Sequence, residues 1–85
     1  MPSQIALTVL FFASTAEVTR AKSWDCVMDE GAAISDLRAQ LERQFPLIKP
    51  LLRGCRFACN EAFVTEQHRL ATGDTVAVIP PVAGG

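Results

Sequence analysis

The chain has no run of basic residues, no Cys-x-x-Cys pair and only one histidine, and no apolar stretch approaches the length of a membrane span. Each shortage removes a class of function. Its eight Lys and Arg residues are scattered from Arg20 to Arg69, and the formal net charge is -1. A nucleic-acid surface needs clustered cations to displace condensed counterions, and an anionic membrane surface needs a polybasic segment, so neither partner is expected. Spanning a bilayer takes about 18 or more consecutive apolar residues, which are absent. Cys26, Cys55 and Cys59 are odd in number and wrongly spaced for a disulfide framework or a zinc site, so no metal is expected. They read as small core residues, with Cys55, Phe57 and Cys59 on one face of a strand. His68 sits between Gln67 and Arg69 and reads as a solvated loop residue. No Ser/His/Asp constellation, pair of catalytic carboxylates or phosphate-binding loop is recognisable.

What is present is apolar: 49% of the 85 residues are hydrophobic and 20% charged. A single domain of this size buries only about 60% of its unfolded surface, so some apolar surface remains outside. A contiguous patch of that kind marks a docking site, which points to a protein partner.

Ile5 to Phe12 is apolar at almost every position and is expected to be a central strand buried on both faces. Met1 to Ala16 has no charge, but it lacks the positive start of a signal peptide, so this segment is expected to stay as the first strand. Ser14 with Glu17 three residues later reads as a capping box opening a short helix to about Ala21. Trp24 to Met28 reads as a second strand. Ile34, Leu37, Leu41 and Phe45 recur at helical spacing opposite Asp36, Arg38, Gln40, Glu42 and Arg43, which predicts the main helix, stopped by Pro46. Its start lacks an ideal cap. Leu47 to Arg53 reads as a connector, Arg56 to Cys59 and Phe63 to Val64 as short strands around Asn60, and Thr75 to Ile79 as the last strand. Phe11, Phe12, Phe57 and Phe63 belong to the core or the sheet surface, and any that lie exposed beside the tail become docking candidates. The expected class is α+β: a mixed four- to five-stranded sheet with one main helix across it. Residues 1–79 form the domain and residues 80–85 a projecting tail.

That tail is the most informative segment. Pro80 and Pro81 cannot donate ladder hydrogen bonds, so they end the sheet and stiffen the exit. Val82 and Ala83 keep the arm narrow, and Gly84 and Gly85 carry no Cβ and can pass a constriction. The terminal carboxylate of Gly85 is the expected reactive group.

The run Val9-Leu10-Phe11-Phe12-Ala13, the Ile34/Leu37/Leu41 helix, the Asn60 turn and Gly73-Asp74-x-Val76-Ala77-x-Ile79-Pro80-Pro81-Val82-Ala83-Gly84-Gly85 resemble the small, sulfur-carrying subunit family of molybdopterin synthase over nearly the whole chain. Cys59 departs mildly, where relatives often carry an aliphatic residue. The resemblance implies a β-grasp, ubiquitin-like fold and a cytoplasmic protein without a bound cofactor. It also implies that a ubiquitin-activating-type enzyme uses ATP to convert Gly85 to a glycyl adenylate, and that a sulfur donor protein then leaves a thiocarboxylate. The loaded tail would enter the large subunit, in a two-plus-two heterotetramer, and give sulfur to the cyclic pyranopterin precursor. On that reading the chain is a non-catalytic sulfur-donating subunit, with acid/base groups on the large subunit. The alternatives are a carrier for thiazole or cysteine synthesis, a protein modifier joined through Gly85 to lysine, and a noncovalent interaction module.

Overall fold

Alternation governs the first strand. Along β1 (Gln4–Phe11), Ile5, Leu7, Val9 and Phe11 are buried, while Gln4 and Ala6 are exposed and Thr8 and Leu10 half-buried. The strand is therefore buried on one face only, which corrects the expectation drawn from its apolar run. The computed structural model describes residues 3–81. In it a five-stranded mixed sheet has the order β2-β1-β5-β3-β4, with β2 spanning Ser23–Asp29, β3 Arg56–Cys59, β4 Ala62–Val64 and β5 Thr75–Ile79. β1 and β5 run parallel at the centre, and every other pair is antiparallel. This is the ubiquitin-like β-grasp architecture that the family resemblance implied.

The register sorts side chains between two faces, because successive residues of a strand point to opposite sides. Pairing of Val9 with Val76, Phe11 with Val78, and Phe57 with Val78 puts these residues on the helix side. There they meet Ile34, Leu37 and Leu41 of the main helix α2 (Ile34–Gln44), all three fully shielded from solvent. Phe45 closes one end of the core, edge-on to Phe11 at 5.4 Å and to Trp24 at 5.3 Å between ring centroids. Edge-to-face contact places the positive ring rim against the negative face and adds about 0.5–1.5 kcal/mol beyond burial.

The missing cap of α2 is supplied from far away in sequence. The Asp36 carboxylate accepts the Ala33 N–H at 2.8 Å, while the Ile34 and Ser35 N–H groups donate to the carbonyls of His68 and Glu66 at 3.0 Å each. Backbone of the 65–70 loop thus satisfies donors that helix geometry leaves unpaired. Arg38 fastens the same loop: its guanidinium donates to both Glu66 carboxylate oxygens at 3.0 and 2.9 Å and to the Leu52 carbonyl at 2.8 Å.

Two local expectations are corrected. In α1 (Ser14–Thr19) the expected Ser14–Glu17 box does not form. Thr15, fully buried, accepts the Phe12 N–H at 3.0 Å and donates to the Phe12 carbonyl at 2.7 Å, and the helix ends early because Arg20 is left-handed at φ 57. The connector after Pro46 is helical, a 3-10 turn at Pro46–Ile48 leading into α3 (Lys49–Leu52). Ile48 and Leu52 are fully buried, and tertiary packing of these two residues outweighs the proline-rich local sequence. No described helix is long and apolar enough to cross a membrane.

Candidate functional site

The root of the tail leaves from the middle of the sheet. β5 is hydrogen-bonded on both sides, to β1 through Val78 opposite Phe11 and to β3 through Ile79 opposite Arg56, so its end is held by two ladders. Pro80 follows at once, half-buried, and Pro81 is exposed. With no N–H to offer, the two prolines stop the ladder where the register places them. Pro80 and Pro81 thus lie where the sequence placed the exit, and Val82, Ala83, Gly84 and Gly85 fall outside the described residues.

Beside this root lies the sheet face that no helix covers. Leu10, Phe12, Ala58, Phe63, Ala77 and Ile79 line a shallow groove of about 290 Å³ there, with Asn60, Glu61 and Thr75 at one end. Phe12 is 46% and Phe63 55% exposed, far more than solvation of a benzyl side chain favours. The Arg56 guanidinium lies 3.8 Å from the Phe63 ring centroid, stacked over the π face of that ring. Phe11 and Phe57 face the core, so the structure divides the four phenylalanines between the two faces. Arg56, Leu10 and Ile79 were not named from sequence as docking candidates. Once the strand period is applied, Leu10 and Phe12 fall opposite Val9 and Phe11, and that alternation was the available signal.

A polar lock holds the other end of β5. Asn60 and Glu61, at φ 49 and 72, form the two-residue loop between β3 and β4, a geometry asparagine tolerates better than most side chains. The Asn60 amide donates to Asp74 Oδ1 and accepts the Thr75 N–H, both at 2.9 Å, while Asp74 Oδ2 accepts the Ala71 N–H at 2.8 Å. Partial burial alone would raise the Asp74 carboxyl, but the Ala71 N–H, the Asn60 amide and the Cys59 thiol outweigh it and hold it below its ordinary value.

The cysteines are buried and free. Burial, reinforced by the Asp74 carboxylate, pushes the Cys59 thiol up to about 11. Burial also raises Cys26, with Asp25 adding to it, and Cys55, where Arg38 offsets part of the effect. A raised thiol is protonated at neutral pH and is a poor nucleophile. His68 is exposed and serves through its backbone carbonyl, as the acceptor for Ile34. Among the described residues no group of three or more His, Cys, Asp or Glu side chains is arranged to hold a metal ion.

Comparison with known proteins agrees with this geometry. A molybdopterin synthase sulfur carrier subunit of Chlamydomonas reinhardtii is 36% identical, over 93% of this chain and 98% of its own. A putative molybdopterin converting factor subunit 1 from Pyrococcus furiosus superposes with a TM-score of 0.85 at 23% identity, covering 92% of this chain and 99% of that one. Subunit 1 or 2 in a Helicobacter pylori complex of the two subunits of molybdopterin-converting factor gives a TM-score of 0.71 at 24% identity, over 95% of this chain and 100% of that one. At these identities the two structures carry the fold. The model of the ThiS family matches residues 9–85, from the middle of β1 through the diglycine, and the chain belongs to that family.

Proposed function

We propose that this protein is the sulfur carrier subunit of a molybdopterin synthase and that Gly85 carries the sulfur. The observation that carries the reading is a stiff diproline root issuing from the sheet centre beside an uncovered apolar face. It is supported by family membership and by the name of the C. reinhardtii relative, aligned over nearly its full length. That name favours molybdopterin over thiazole or cysteine synthesis.

A C-terminal carboxylate has an ordinary pKa of about 3.3–3.7, so at neutral pH it is an anion and a poor acyl electrophile. Activation is therefore obligatory. One carboxylate oxygen of Gly85 attacks the α-phosphorus of ATP on an adenylating enzyme, and pyrophosphate departs. A sulfur donor protein then delivers a sulfide equivalent to the acyl carbon, AMP leaves, and Gly85 ends in a thiocarboxylate. Its sulfur attacks an electrophilic carbon of the cyclic pyranopterin precursor in the large subunit and displaces an oxygen substituent from it. Water then cleaves the resulting acyl–sulfur bond, leaving the sulfur on the pterin and restoring the carboxylate. This chain supplies no acid or base to those steps. Its raised thiols do not compete as sulfur acceptors, and its uncovered face docks the large subunit while the arm reaches inward.

Reconstitution tests the reading: thiocarboxylate-loaded protein, the large subunit and the precursor should yield dithiolene, and unloaded protein should not. Equal product from loaded and unloaded protein would sink it. Tail-dependent conjugates on a denaturing gel of cell lysate, with no thiocarboxylate in the intact mass, would favour the protein modifier instead.

A further inference from the structure

A glycine that its own backbone does not require stands beneath the tail. Gly54 ends the turn between α3 and β3, its N–H donating to the Leu51 carbonyl at 3.3 Å. Gly31 and Gly73 have φ of +89 and +90, a region that disfavours side chains, whereas Gly54 lies outside that region. It is exposed, so core packing does not demand a small residue either. What a side chain would meet is the tail: a Cβ at Gly54 would lie 3.3 Å from Pro81 Cγ and 3.4 Å from Pro81 Cδ. By contrast, a Cβ at Gly73 would have nothing within 4 Å.

We propose that Gly54 is a positioning residue for sulfur delivery, its bare Cα forming the seat on which the Pro81 ring rests and from which the arm takes its direction. The inference rests on the sulfur-carrier reading. The Pro81 ring is part of the backbone, so a push on the ring turns the chain that follows. Four residues separate Pro81 from the end of Gly85, a reach of up to about 14 Å. Once a partner held the arm extended, a displacement of a few tenths of an ångström at the ring, a bond length or two from the pivot, would become on the order of 1 Å at its far end. Misplacement by that distance costs a positioned reaction up to about 100-fold.

The test uses the full chain, loaded as thiocarboxylate, in single-turnover sulfur transfer to the precursor over a range of large-subunit concentrations. Gly54→Ala adds the Cβ alone and Gly54→Val adds two further methyls. The saturated rate should fall about threefold or more for alanine and tenfold or more for valine, with the half-saturating concentration within about threefold of wild type because the docking face is untouched. A Pro81→Ala background removes the ring that the new Cβ would strike. There, adding Gly54→Val should cost less than about threefold relative to Pro81→Ala itself. Transfer by both variants within about twofold of wild type overturns the inference, as does an undiminished valine penalty beside Pro81→Ala. A wild-type chain that loads but delivers no sulfur overturns the carrier reading and this inference with it. A competent wild type matched by its variants overturns this inference alone.

Discussion

Cys59 shows how burial and a neighbouring carboxylate keep a thiol unreactive. Buried beside the Asp74 carboxylate and raised to about 11, its thiol stays protonated throughout the neutral range. Iodoacetamide at pH 8 should therefore leave Cys26, Cys55 and Cys59 unmodified in the folded protein and alkylate all three after denaturation, as read by intact mass. Rapid labelling of the native chain would contradict the buried, protonated assignment. Asp74 gives the opposite sign at the acid end. Its folded pKa is depressed, so the unfolded state binds the proton more readily, and its stabilisation is complete above the ordinary carboxylate value and disappears as pH falls through the lower folded value. Asp74→Asn should lower the melting temperature at pH 7 and flatten the acid-side slope of stability against pH. An unchanged slope would show that the Asn60–Asp74–Ala71 lock contributes nothing to folding. None of this lock was legible in the sequence beyond the Asn60 turn, because its partners converge from two loops across 14 residues.

At the scale of elements, the strands, the main helix and their order were legible because hydrophobic period and proline stops are local signals. The errors have separate physical causes. β1 was expected to be covered on both faces because Leu10 and Phe12 are apolar, yet those residues belong to the uncovered side and read instead as docking surface. The 46–52 segment looked like an irregular connector because Pro46 and Pro50 dominate it, whereas both prolines stand near the start of short helical turns, where their missing N–H costs little. The cap of α2 comes from residues 66 and 68, a distance no local pattern reveals. The uncovered face makes its own prediction. Phe63→Asp or Phe12→Asp should weaken large-subunit binding in calorimetry by about tenfold or more, since apolar anchors at an interface centre commonly contribute over 1 kcal/mol. Thermal stability should change little, because both rings are already in solvent. Binding unchanged by either substitution would place the docking surface elsewhere.

Taken whole, the molecule divides its work between a scaffold and an arm. Parallel pairing of β1 with β5 puts the last strand at the sheet centre, two ladders hold its end, and the diproline ends the ladder beside the uncovered apolar face. The stop at Pro80 and Pro81 was legible in sequence, since proline states its backbone consequence directly. The apolar surface around its root required the fold. The proposed activation, loading and delivery would all converge on Gly85, so intact-protein mass spectrometry of the chain from a sulfur-replete host, followed by fragmentation, tests the claim most directly. A mass shift of one oxygen replaced by sulfur, localised to Gly85, is the expected result. A chain that stays a plain carboxylate when its adenylating enzyme, ATP and sulfur donor are all supplied would contradict it.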